Sequence, residues 1–214
     1  MLTTNILFSG ILKIISLSTS LLIVPITINY LNNEVYGIWM TISSMLFWIS
    51  TFDIGLGNGM RNYLTKSISE NNLPLGQKYI STTLTLLSLI AIALGLLLLI
   101  PLFTINFNVF FNTYAINNVD LRNALFVALA FTLLNFVTKN IGLIFVAMQK
   151  YAINDLLAVL GNITSLTIIY ILTKTTSSNL LYVILAYTVT QCIVYIFAAI
   201  PLFTKHKQLR PNLH

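Results

Sequence analysis

Apolar residues in this chain fall into long blocks almost free of charge, divided by short polar connections. A helix needs about 20 predominantly apolar residues to cross the hydrocarbon core of a bilayer. Reading between the charges gives six blocks of that length. They span about 5–30, interrupted only by Lys13; about 36–56, continuing to about 70; about 78–105; about 121–147, containing Lys139; about 151–173; and about 179–204. Asn106, Asn108, Asn112, Asn117 and Asn118 interrupt the uncharged run from Tyr79 to Val119 and mark a polar, aromatic loop at the interface. The pattern predicts an all-α membrane protein of six transmembrane helices, closed by a basic tail over 205–214.

Composition narrows the class. Of 214 residues, 57% are hydrophobic and 7% charged, where an ordinary soluble domain has about 25% charged. A water-soluble globular fold, a disordered tail and a coiled coil are thereby excluded. Cys192 is the one cysteine and lies in an apolar run, which leaves no disulfide framework, CxxC motif or thiolate metal cluster. Eleven basic residues give a net charge of +6, but nothing is denser than Lys205, Lys207 and Arg210, so no stripe for tracking nucleic-acid phosphates forms. Topology accounts for them better. With the N-terminus inside, one face receives Arg61, Lys66, Lys78, Lys150, Lys205, Lys207 and Arg210, and the other only Arg122 and Lys174. Cytoplasmic loops collect Lys and Arg, so both termini are expected in the cytoplasm.

The first block lacks a basic n-region and an A-x-A cleavage site and is expected to stay as a membrane helix. No GxxxxGK[ST], HExxH or GxSxG pattern occurs, and His206 and His214 both lie in the tail. ATP hydrolysis and metal-dependent or triad hydrolysis therefore lack their residues. The expectation is a protein that is not an enzyme, with no cofactor and no metal, whose transport would draw on a gradient.

The second block has an unusual end. From Tyr36 to Asn72 it runs about 37 residues, roughly 55 Å as a helix, and so should protrude into the cytoplasm. Gly55, Gly57 and Gly59 do not have the spacing, strand or second half of a dinucleotide fold. Gly55 and Gly59, four apart, would instead let a neighbouring helix approach closely. YGIW at 36–39 followed by FDIGLGNGMRN at 52–62 resembles the N-terminal half of the bacterial polysaccharide flippases, members of the multidrug/oligosaccharidyl-lipid/polysaccharide exporter superfamily. VPITINYLNNEVYG at 24–37 and MQKYAIND at 148–155 extend the resemblance more diffusely.

The resemblance implies one six-helix lobe, the N-lobe, of a two-lobe exporter fold in the bacterial inner membrane, enclosing with its partner a cavity of alternating access. Its substrate would be an undecaprenyl-pyrophosphate-linked oligosaccharide, and its partners membrane lipids and a second lobe or second copy of the chain. Such a ligand needs a wet, cationic, hydrogen-bonding cavity, because a pyrophosphate does not enter hydrocarbon unscreened. Candidate residues are Lys13, Asp53, Asn58, Arg61, Asn62, Asn135 and Lys139. Lys13 and Lys139 share a depth, roughly 13–17 Å from the cytoplasmic end at 1.5 Å per residue. Lys13 either faces the cavity or snorkels to headgroups; Lys139, beside Asn135 and Asn140, is read into the cavity. Asp53 either pairs with one of these lysines, carries a coupling proton or caps a kink near Gly55. Arg61 and Asn62 either receive pyrophosphate or anchor the inner end. Asn58 either meets sugar or stabilises a neighbouring helix. The alternatives for the whole chain are a membrane glycosyltransferase or glycan polymerase component, and an inactive truncated half-transporter.

Overall fold

In lipid every backbone N–H and C=O must find its partner within the protein, and the apolar blocks do so as helices. The computed structural model describes residues 2–212, with side chains from residue 8 onward except that of Ser50; the end of the expected tail, His214 included, lies outside them. Among the described residues there are helices and no strand. The α-helices are α1 (Leu2–Leu31), α2 (Asn33–Ile49), α3 (Leu56–Ser69), α4 (Leu73–Thr104), α5 (Phe107–Phe111), α6 (Asn118–Thr138), α7 (Asn140–Ala147), α8 (Tyr151–Thr175) and α9 (Leu180–Lys205). Six spans are long and apolar enough to cross a membrane: α1, α2 extended by one 3-10 turn to Asp53, α4, α6 with α7, α8, and α9. The chain is an all-α multi-pass membrane protein.

Asparagine organises the ends of these helices. The side chains of Asn72, Asn106, Asn117 and Asn179 accept backbone N–H groups at the starts of α4, α5, α6 and α9, satisfying donors that a helix N-terminus leaves free. Asn32, Asn71 and Asn112 take left-handed backbone angles in the turns that follow α1, α3 and α5, a conformation asparagine tolerates better than most residues.

The spans alternate in direction, and hydrogen bonds fasten the connections into two ends. At one end Tyr30 Oη meets Thr176 Oγ1 at 2.8 Å, and Thr113 Oγ1 donates to Glu34 Oε1 at 2.6 Å. At the other, Thr65 Oγ1 donates to Ala147 O at 3.3 Å and Gln77 Nε2 to Arg210 O at 2.6 Å. The second end carries Arg61, Lys66, Lys78, Lys150, Lys205, Lys207 and Arg210, and the first carries Arg122 and Lys174. Leu31, Ile42, Leu121, Ala128, Ile169 and Ile184 build the core toward the first end, and Leu64, Ile80, Ile144, Leu157, Leu202 and Leu209 build it toward the second.

Two expectations change. The second block is not one helix running from 36 to about 70: α2 starts at Asn33, and the chain breaks at Ile54 and Gly55, whose φ values are +48° and +79°. Two successive left-handed residues interrupt the helical path, and glycine takes such an angle without a side-chain penalty. The amphipathic helix α3 then runs on toward the second end packed against α4 and α7, with Gly57 beside Asn140 and Thr65 bonded to Ala147 O. The fourth block starts at Asn118 and divides at Lys139 into α6 and α7. The basic tail docks on the bundle: Leu209 is buried, and Asn212 N donates to Ser81 Oγ at 3.0 Å, which lays the tail along the start of α4.

Candidate functional site

Polar side chains inside an apolar span must find one another, because hydrocarbon offers them nothing. On α8, Asn162 and Ser165 lie three apart and so on one face. Asn162 Nδ2 donates to Ser16 Oγ of α1 at 2.9 Å, and Gln191 Nε2 of α9 donates to Asn162 Oδ1 at 3.1 Å. The buried hydroxyls of Ser165 and Thr190 meet at 2.6 Å. Trp39 of α2 packs on Tyr187 of α9 with ring centroids 5.0 Å apart. Asn162 and Ser165 of this seam, with Trp39 and Tyr187, line a cavity of about 530 Å³ bounded by α1, α2, α6, α8 and α9. Thr19, Ser43, Thr132, Asn135 and Tyr187 are among the residues that face it.

Of the residues expected to matter, Asn135 lies on this cavity and its buried Oδ1 has no hydrogen-bond partner. Lys139 is half-buried, seven residues beyond Thr132 and four beyond Asn135, so it continues the same face of α6. Its ammonium sits 5.5 Å from the centroid of the Phe136 ring. Lys13 is exposed on α1. Seven and eleven residues separate it from Ser20 and Val24, two cavity residues, so all three share a face and Lys13 prolongs that wall toward the second end.

The remaining candidates gather at the elbow between α2 and α3. Asp53 Oδ1 accepts the backbone N–H of Gly57 at 2.9 Å, which makes it the cap of α3, the third of its readings. Lys66 with Glu70, on the surface at 3.9 Å, is the ion pair among the described residues, so Asp53 pairs with neither Lys13 nor Lys139. Arg61 Nε and Nη2 both donate to Asn62 Oδ1 at 3.2 Å, and Asn58 is exposed. None of Asn58, Arg61 and Asn62 lines the cavity.

The close approach falls on Gly57 and not on Gly55 or Gly59. A Cβ on Gly57 would collide with Asn140 Oδ1 and lie 2.8 Å from Leu143 Cδ1, whereas one on Gly59 would meet nothing within 4 Å. Asn140 is wholly buried. Its place in the α3–α7 seam, that of Asn162 and Ser165 in the cavity wall, and that of Thr190 and Gln191 in hydrogen bonds with them went beyond the candidates read from sequence. The available signal was the presence of amides and hydroxyls at helical spacing within apolar spans, where burial without a partner is costly.

Among the described residues no group of three His, Cys, Asp or Glu side chains is placed to hold a metal ion. No family model, no curated protein and no solved structure matches the chain.

Proposed function

We propose that this chain is the N-terminal lobe of a flippase that moves undecaprenyl-pyrophosphate-linked oligosaccharides across the bacterial inner membrane, with both termini in the cytoplasm. The observation that carries the reading is the polar cavity of about 530 Å³ within the spans, flanked on two helices by Lys13 and Lys139. Hydroxyls and amides suit a glycan, and two ammonium groups suit an anionic head that hydrocarbon would reject. The segregation of seven basic residues to one end of the bundle supports a cytoplasmic placement of that end. The reading is one of transport, with no enzymatic step. The second lobe, a further copy of this chain or a separate polypeptide, would close the cavity.

Complementation of a flippase-deficient strain tests the reading. Surface glycan is expected when the chain is joined to a second lobe and is expected to fall when Lys139 or Asn135 is replaced by Leu. Failure of the joined form to restore any glycan would overturn it, and glycan restored in full by the Lys139→Leu, Asn135→Leu double variant would remove the cavity from the mechanism.

A further inference from the structure

α4 is longer than a bilayer needs. Its 32 residues rise about 48 Å, against a hydrocarbon core of about 30 Å. The surplus falls at the start of the helix, where Gln77, Lys78, Ser81, Thr82 and Thr85 are polar, because from Leu86 to Phe103 the only polar side chain is that of Ser88. Ser81 and Thr82 therefore lie in the head-group layer at the second end, with Lys78 at its outer edge. Tyr79, stacked on Tyr63 with ring centroids 5.1 Å apart, marks the same level, where amphipathic rings collect.

Lys78, Thr82 and Thr85 stand at helical intervals of four and three, and Leu89, Ile92 and Leu96 continue the series; all six are exposed. An exposed apolar stripe on a membrane span faces acyl chains, so the face turns polar where a lipid's chains end and its head begins. The tail crosses at this point, held by Gln77 Nε2 on Arg210 O at 2.6 Å and by Asn212 N on Ser81 Oγ at 3.0 Å. Between tail and helix lies a cavity of about 620 Å³ that Lys78, Thr82, Thr85 and Asn212 face, with Leu86 on its membrane side and no acid in its wall among the described residues. Ser81 and Ser88 give their hydroxyls back to the helix, to Gln77 O and Leu84 O. Among the described residues Thr82 and Thr85 make no such bond, and Lys78 has no ion pair.

We infer that this cavity binds the phosphate head of one anionic phospholipid from the leaflet at the second end. The Lys78 ammonium meets the phosphate, the hydroxyls of Thr82 and Thr85 donate to its oxygens, and an acyl chain runs along Leu89, Ile92 and Leu96. A soluble phosphate would find the same donors, but the apolar stripe that leads out of the cavity commits the site to a lipid. A zwitterionic head is disfavoured because its ammonium would meet Lys78 and no carboxylate. The site is independent of the flippase reading, since it needs neither a second lobe nor a glycan.

Native mass spectrometry of the purified full-length chain in a non-ionic detergent tests it, with dioleoyl phosphatidylglycerol as the probe. Dioleoyl phosphatidylcholine has the same chains on a zwitterionic head, and inorganic phosphate has the anion without chains. One phosphatidylglycerol per chain is expected to bind, in preference to phosphatidylcholine by about fivefold or more. Lys78→Met keeps the apolar stem and is expected to abolish that preference. Thr82→Val combined with Thr85→Val is expected to weaken phosphatidylglycerol by about threefold or more. Lys66→Met, at the same end but outside the cavity, should bind as the native chain does. Circular dichroism and a monodisperse elution profile show that each variant is folded; should Lys78→Met fail there, the threonine pair decides. Equal binding of the two lipids by the native chain, or an unaltered preference in Lys78→Met, would overturn the inference. So would an equal loss in Lys66→Met, which would make the charge of the whole end responsible, or displacement of the lipid by inorganic phosphate at comparable concentration, which would give the cavity to a soluble anion.

Discussion

Gly57 and Gly59 are two residues apart on the same short helix, yet only one of them tolerates a side chain. A Cβ on Gly57 meets Asn140 and Leu143, so Gly57→Ala is expected to cost about 1–3 kcal/mol through forced displacement in a packed seam. Gly59→Ala has open space around it and should be neutral or stabilise by up to about 1 kcal/mol through its better helix propensity. Thermal unfolding of the two variants in the same detergent checks the contrast, and equal shifts would contradict it. His206 sits where α9 ends, outside the spans, and its Nε2 is buried without a partner. Burial first, and then the charges of Lys150 and Lys205, hold its pKa below the usual imidazole value. As the pH falls, the unfolded chain takes up its proton near pH 6.5 while the folded chain still resists. The histidine's contribution to stability is thus present above that pH and declines as the pH falls through the lower folded value. His206→Gln should flatten the loss of stability between pH 7 and 5, as read by unfolding at a series of pH values.

At the scale of elements, the interruptions decide how the molecule is built. α3 is set apart from α2 by two left-handed residues, and it packs against α4 and α7 with Met60 and Leu64 buried. Neighbouring helices then approach through a glycine on one and a polar side chain on the other. Gly57 faces Asn140, Gly142 faces Asn154 and Gly161 faces Gln191. Without a hydrophobic force between helices in lipid, such close small-residue contacts and interhelical hydrogen bonds carry the association. The docked tail is a further element whose attachment rests on few contacts: Leu209, buried against Gly76, and the backbone bonds to Gln77 and Ser81. Leu209→Ala, expected to cost on the order of 2 kcal/mol, should free this strap. Trypsin should then cut after Lys207 faster than in the parent chain, while unchanged cleavage would show that the polar contacts suffice.

For the whole molecule, the two ends differ by seven basic residues against two. Reporter fusions are expected to place Asn33 and Thr176 outside the cell and residues after Lys205 inside; a cytoplasmic signal at Asn33 would reverse the orientation. The presence and type of the six spans were legible in the sequence, because membrane insertion depends on the length and charge of a local window, and these are properties of neighbours along the chain. Asn135 and Lys139 were legible as special for the same reason, since their cost in hydrocarbon does not depend on their partners. What Asp53 does was not: capping α3 requires the elbow at Ile54 and Gly55, and the sequence left pairing, proton carriage and capping open. The choice of Gly57 over Gly55 and Gly59 depends on where Asn140 lies, 83 positions further along. Likewise the cavity exists only because residues of five helices, Thr19, Ser43, Asn135, Asn162 and Tyr187 among them, come to one place. Local hydropathy determines which segments enter the membrane; which polar atoms meet there is set by side-chain packing between distant segments, and only the tertiary structure decides it.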